Sequence, residues 1–213
     1  MKVFELKHVN LSVGQKNILK EINLSVEAGD WLTLVGPSGS GKSSILKLLS
    51  GLLSVSSGQI LYQGRDLEHL DMPTYRREVS YCFQQPVLFG KTVYENLSFP
   101  FTIRQEAFDK HRVVAALSRV GLSEDFLDQA VADLSGGEKQ RIALIRNLLF
   151  EPSVLLLDEI STGLDKATKT LVRDLIESYH RTGHTIIEVT HDQEEIAKAK
   201  HLMTVEKGEL TNG

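Results

Sequence analysis

The chain has 213 residues, 41% of them hydrophobic, which is enough to bury roughly 70% of the surface it exposes when unfolded. A formal net charge of −4 excludes the basic field that non-specific nucleic-acid binding uses, so no nucleic-acid partner is expected. Lys2, Glu5 and Lys7 interrupt the first ten residues, no run approaches the ~20 apolar residues of a membrane helix, and the single Cys82 suits a reducing compartment.

In chain order, short β-rich runs at Phe4 to Val9, Ile18 to Val26 and Trp31 to Val35 are separated by turn residues. The last ends abruptly in glycines. Beyond them Ile45, Leu46, Leu48 and Leu49 recur at helical spacing as far as Gly51, a C-cap candidate. Gln59 to Tyr62 has hairpin character, and a polar stretch then leads to the run Val79 to Phe83. From about Phe89 to Leu134 the pattern is helical, with Val113, Val114, Leu117 and Val120 on one stripe after Pro100 breaks the chain. A helix from Glu138 to Phe150, a strand from Val154 to Leu157, a helix from about Lys166 to His180 and a strand from Thr185 to Val189 complete the pattern. Such alternation predicts an α/β fold with a parallel sheet and helical crossovers, into which the helical lobe is inserted.

Gly36-Pro37-Ser38-Gly39-Ser40-Gly41-Lys42-Ser43, followed by Ser44, matches the phosphate-loop pattern G-x-x-x-x-G-K-[ST] where a strand ends and a helix begins. The glycines let successive backbone N–H groups face inward, and the helix adds the positive end of its dipole. Lys42 has the charge and reach to bridge the β and γ phosphates of ATP, and Ser43 supplies a hydroxyl for Mg2+.

Val154 to Leu157 is apolar enough for a sheet interior and ends in Asp158 and Glu159, where open α/β sheets place their ligands. Asp158 suits the metal, held through a water, and Glu159 suits the role of general base toward the attacking water.

Leu134-Ser135-Gly136-Gly137-Glu138-Lys139-Gln140-Arg141 resembles the signature motif of ABC ATPases. Its local chemistry stands apart from the name, since Ser135 can cap the helix that follows while Gly136 and Gly137 leave N–H groups open to an anion. The resemblance runs through nearly the whole chain. Gln84 matches the family's Q-loop glutamine, Ser161 to Asp165 the D-loop, and His191 the switch histidine.

That resemblance implies a P-loop NTPase of ABC type, with a mixed parallel sheet core, an antiparallel β subdomain and a small helical subdomain. The core would be residues 1–88 and 136–213 of a single domain, and the helical lobe 89–135. It also implies a nucleotide-sandwich homodimer, with the signature loop of one copy against the γ-phosphate held by the other. Gln84 would touch the metal and the attacking water, His191 the γ-phosphate, and Asp165 would couple the two sites. A separate membrane-spanning permease, with this chain peripheral on the cytoplasmic face, completes the expectation.

More narrowly, Val79-Ser80-Tyr81-Cys82-Phe83-Gln84, Leu88-Phe89-Gly90, Thr92 to Leu97 and Asp158-Glu159-Ile160 resemble the ATPase subunits of Fet-type iron exporters. Ile160 departs from the proline usual in the wider family and agrees with this subgroup. Where relatives place an adenine-stacking ring, this sequence has Val13. The segment Pro86 to Phe101 is aromatic enough to dock a cytoplasmic helix of the permease, although Phe89, Tyr94, Phe99 and Phe101 are equally compatible with a lobe core.

Glu188 falls in a strand that should be buried, with no role legible in the sequence, and the other six histidines have no ligand spacing. Three alternatives remain. A non-transport ABC ATPase clamping ribosome or DNA would ordinarily carry paired cassettes or a coiled coil, a P-loop kinase would leave the signature loop without purpose, and a binding-only regulatory module would require Glu159 to be idle.

Overall fold

The computed structural model describes residues 1–212; Gly213, the last residue of the expected domain, lies outside the described residues. Strands β1 (Lys2–Val13) and β2 (Lys16–Glu27) form a hairpin that reverses through Gly14, whose φ of +59° is open to glycine at little steric cost. Both run longer than their apolar centres, and polar residues near the turn, such as Ser12 and Asn17, remain paired.

Strand β3 (Trp31–Val35), helix α1 (Lys42–Leu49), strands β4 (Ser57–Tyr62) and β5 (Arg65–Asp66), helix α2 (Met72–Glu78) and strand β6 (Val79–Cys82) follow. Helices α3 (Val93–Thr102), α4 (Lys110–Arg119) and α5 (Gly136–Leu148) come next, then β7 (Val154–Asp158), α6 (Lys166–Arg181) and β8 (Thr185–Val189). Helix α7 (Gln193–Lys198) and the strands β9 (His201–Glu206) and β10 (Glu209–Asn212) close the described chain.

The strands make two sheets. An antiparallel four-stranded sheet has the order β2-β1-β4-β5, and a mixed six-stranded sheet has the order β10-β9-β3-β8-β7-β6. In the second, β3 pairs in parallel with β8 and β9, β7 pairs in parallel with β8, and β10 turns back antiparallel on β9. The α/β class with an antiparallel β subdomain is therefore as the sequence predicts.

The chain divides into two compact units. One comprises Met1–Tyr81, Ser153–Glu159 and the chain from Gly183 onward; the other comprises Cys82–Pro152 and Ile160–Thr182.

In the first unit, β7 and β8 are buried at every position, which is why their sequences read as continuous apolar runs rather than alternating ones. Ile45, Leu46, Leu48 and Leu49 of α1 are fully buried in the same core as Leu32, Leu34, Leu156 and Ile187. Each such side chain contributes about 1.5–3 kcal/mol by leaving water. Gly51, one residue past the Ser50 C-cap, has φ +66°, the left-handed turn that ends many helices. Glu188 accepts a hydrogen bond from Thr33 Oγ1 at 2.8 Å, its register neighbour on β3. The buried carboxylate thus has a partner one strand away.

In the second unit, α3, α4, α5 and α6 each begin on a side-chain cap, from Thr92, Asp109, Ser135 and Asp165 respectively. Pro100 does not break the chain as expected: it sits inside α3, two residues before the helix ends. A proline in a last turn removes one backbone bond from a segment that is ending anyway. Val113, Leu117 and Val120 of the expected stripe are fully buried, whereas Val114 is half-buried at its edge. Cys82 is buried, accepts a contact from Asn147 Nδ2 at 3.1 Å, and has its thiol pushed up to about 12 by burial, which leaves it unreactive.

Candidate functional site

The first unit holds the phosphate loop between β3 and α1. Gly36 has φ +137°, and a Cβ there would lie 2.1 Å from the Val205 carbonyl oxygen, so β9 and the loop approach closely only because residue 36 is glycine. At Gly41, φ +113°, a Cβ would meet Leu19 at 2.6 Å, and this left-handed residue directs the chain into α1.

Lys42 opens the helix and folds back, donating from Nζ to the carbonyls of Gly36 at 2.8 Å and Pro37 at 3.0 Å. Burial lowers its pKa, while the carboxylates of Glu159 and Asp158 oppose that shift. The ammonium is thereby held inside the curl of the loop rather than in bulk water. Ser40 Oγ is buried without a hydrogen-bond partner among the described residues. A desolvated hydroxyl in a glycine loop beside a confined cation suits a polyanion such as a phosphate chain.

At the end of β7, Asp158 is 4% exposed. Ser43 Oγ donates to its Oδ1 at 2.8 Å, and the phenol of Tyr81 donates to its Oδ2 at 2.6 Å. Ser43 and Asp158, predicted from opposite parts of the sequence to serve one metal, are therefore in contact. Their oxygens are the hard donors that suit Mg2+.

Glu159 follows with φ +50°, a left-handed conformation uncommon outside glycine, and its N–H donates to Val189 O at 3.0 Å. That turn aims its carboxylate away from the buried Asp158 and toward His191, whose Nε2 lies 3.0 Å from Glu159 Oε1. His191 stands two residues beyond the end of β8, and its backbone is held from both sides. Thr190 gives its hydroxyl to buried Glu195 and its oxygen to the Asp192 N–H, and Asp192 caps α7.

Val13, at the tip of the first hairpin, is 64% exposed. It is a surface side chain rather than part of the core.

The second unit holds the other predicted residues. Gln84 follows β6. Ser135 caps α5 in a capping box: its backbone N–H donates to Glu138 Oε2 at 2.8 Å, and the Glu138 N–H donates to Ser135 Oγ at 3.3 Å. Gly136 and Gly137 form the first helical turn, and a Cβ at Gly136 would meet nothing within 4 Å, so that face of the turn is open to an approaching group. Asp165 caps α6 through Thr168, which draws its carboxyl below the usual range.

The aromatic segment divides. Phe101 is 2% exposed and packs on Phe108 and Phe150, whereas Phe89, Tyr94 and Phe99 are 40%, 44% and 43% exposed. Buried Asn96 holds the loop before α3 through both directions of hydrogen bonding with Phe89, and Arg146 ties Asn96 to the Val87 carbonyl.

The profile of the ABC transporter family matches residues 19–162. The chain belongs to that family. This ABC ATPase is 44% identical over 205 residues to the probable iron export ATP-binding protein FetA of Escherichia coli K12, covering 96% of the present chain and 91% of that relative. It is 39% identical over 213 residues to the spermidine/putrescine import ATP-binding protein PotA of Aggregatibacter actinomycetemcomitans, with 98% of this chain spanning only 56% of that protein.

Among solved structures, a bacterial Atm1-family ABC exporter with ATP bound superposes with TM-score 0.89 at 28% identity over 98% of this ABC ATPase and 38% of the exporter chain. The dimeric post-hydrolysis cassette MJ0796 bound to ADP and Pi superposes with TM-score 0.87 at 26% identity, covering 98% of both chains. As an ABC ATPase, the chain binds ATP, hydrolyses it and serves a transporter.

Tyr81 is the participant that the motifs alone do not single out. A tyrosine in Val79-Ser80-Tyr81-Cys82 reads as a β-former with an apolar body, and only the pairing of β6 beside β7 turns its hydroxyl toward Asp158.

Proposed function

We propose that this chain is the ATPase subunit of a metal exporter with iron as its cargo, working as a homodimer beneath a separate permease on the cytoplasmic face of the membrane. The observation that carries the chemistry is the constellation at the ends of β3, β7 and β8, where a confined cation, a paired hydroxyl and carboxylate, and a second carboxylate against a histidine belong to one compact unit. Support for export of iron comes from the FetA relative, which matches across nearly the full length of both chains. The polyamine importer, by contrast, is almost twice as long as the segment matched.

In this mechanism the loop N–H groups and Lys42 hold the β and γ phosphates, with the buried hydroxyl of Ser40 in the same loop. Ser43 and Asp158 hold Mg2+, which when bound neutralises charge on the phosphate oxygens and aligns them for in-line attack. Glu159 accepts a proton from a water as that water's oxygen bonds to the γ-phosphorus and the bond to the ADP oxygen breaks. His191 keeps Glu159 oriented and supplies a hydrogen bond to the γ-phosphate. Gln84 and Asp165 carry the roles that the family resemblance implies.

Across the dimer, the open first turn of α5 at Ser135, Gly136 and Gly137 caps the γ-phosphate bound to the other copy. ATP therefore favours the closed dimer, and loss of phosphate removes the contacts that distinguish closed from open. The exposed faces of Phe89, Tyr94 and Phe99 form the contact for a cytoplasmic helix of the permease.

Capture of the tagged chain from detergent-solubilised membranes, followed by iron-efflux measurement in vesicles carrying both chains, tests this directly. A hydrophobic multi-span protein should co-purify, and external ATP should drive iron into the lumen of inside-out vesicles while Glu159→Gln should not. Recovery of the chain with ribosomes, or efflux indifferent to iron, overturns it.

A further inference from the structure

We infer that Tyr81 is a positioning residue for Mg2+-dependent nucleotide chemistry, acting through Asp158. The inference rests on the ATPase site described above and adds a residue to it. Asp158 is gripped from two sides: Oδ1 accepts from Ser43 at 2.8 Å and Oδ2 accepts from Tyr81 at 2.6 Å. Both Asp158 and Tyr81 are buried, so neither bond competes freely with water.

The chemistry of the two donors differs. Ser43 has a short, rotatable hydroxyl on the first turn of α1, free to turn toward a cation when one is bound. Tyr81 has a rigid ring anchored in the sheet through β6, and a phenol donating to a carboxylate at this distance forms a short, charge-assisted bond. A carboxylate with one oxygen pinned retains a single orientation about its last torsion; without the pin, that broad torsion is free to turn. The phenol therefore keeps Oδ1 facing Ser43 Oγ, the two oxygens that would serve the cation.

The other buried tyrosines point elsewhere. Tyr75 and Tyr179 give their hydroxyls to the backbone carbonyls of Leu49 and Pro152, and Tyr62 gives its hydroxyl to the Glu78 carboxylate, which is not one of the site residues. Tyr81 is the one of these four whose hydroxyl goes to a carboxylate of the site.

Tyr81→Phe removes one oxygen and keeps the ring. Calorimetry with a non-hydrolysable ATP analogue, once in EDTA and once across a Mg2+ titration, separates positioning from packing. Affinity in EDTA should stay within about two-fold of the native chain, while the Mg2+ concentration for half-maximal tightening should rise about ten-fold, the usual scale for loss of an outer-sphere partner. In an Asp158→Asn background, Tyr81→Phe should add nothing further.

A Mg2+ titration that superimposes on the native one overturns the inference. So does an equal loss in EDTA, an independent effect in the Asp158→Asn background, or a chain that loses its cooperative melt, since each would assign the phenol to the fold. Failure of the native chain to bind nucleotide at all would instead overturn the ATPase reading.

Discussion

Glu159 occupies a left-handed conformation that a β-strand terminus does not require, and strain of this kind amounts to about 1–3 kcal/mol. The turn separates two adjacent carboxylates into different environments: Asp158 in the sheet against Ser43 and Tyr81, Glu159 toward His191. Replacing Glu159 with Gln preserves shape and removes the proton acceptor. Hydrolysis should fall by about 10²–10⁴-fold while ATP still binds, as single-turnover assays and calorimetry would read. Lys42→Ala fails at the earlier step, because the phosphate charge loses its confined cation, and calorimetry should find no measurable ATP binding. Val13 stands exposed on the hairpin tip, so Val13→Tyr can add a ring there without disturbing the core. It should tighten ATP binding by up to about ten-fold if adenine stacks at that position, since stacking on a base contributes about 1–3 kcal/mol. An unchanged dissociation constant would remove Val13 from the nucleotide site.

At the scale of elements, the capping box of α5 joins stability to function, because the turn that Ser135 and Glu138 organise is the one proposed to meet phosphate. Hydrogen bonds from the Ser135 backbone N–H and, less strongly, the Ser135 side chain draw the Glu138 carboxyl below its usual range. A lowered folded-state value means that the contribution is fully present above the unfolded carboxylate value, about 4.3, and is lost as pH falls through the lowered one. Glu138→Gln should therefore melt below the native chain at pH 7, and the gap should close as pH drops beneath the carboxylate range. Because the pair is exposed, the difference should be a few tenths of a kcal/mol. Ser135→Ala removes the cap itself, and thermal melts should show about 1 kcal/mol lost.

The helices also show where sequence patterns stop. The cap residues Thr92, Asp109, Ser135 and Asp165 mark helix starts because their side chains act within one turn of chain. Helix α2 lay hidden in a polar stretch, since Tyr75 is its one buried residue and so no apolar stripe announces it. Strands β9 and β10 were equally unannounced: β9 is held by parallel pairing to β3, some 170 residues earlier in the chain. The exposure of Phe89, Tyr94 and Phe99 beside a buried Phe101 could not be divided by composition, because the division depends on which ring meets Phe108 and Phe150.

For the whole molecule, the distinguishing expectation is that nucleotide serves as glue between two acidic chains. Glu159→Gln with ATP should elute from gel filtration as a dimer, and removal of ATP should return it to monomer. A persistent monomer that hydrolyses ATP at the native rate would exclude a shared site.

By itself the sequence determined the family, the phosphate loop, the acidic pair and the order of the motifs, because glycine spacing, charge and strand hydrophobicity act over a few residues and survive being read in one dimension. Tertiary structure alone decided that Ser43 touches Asp158 across 115 residues of chain, that Thr33 answers the buried carboxylate of Glu188, and that the Tyr81 phenol reaches the site. Those contacts belong to strand order in the six-stranded sheet, where β3, β8, β7 and β6 lie side by side although their sequence positions are scattered. Adjacency of that kind is set by closing long loops on a common core, and no local pattern records it.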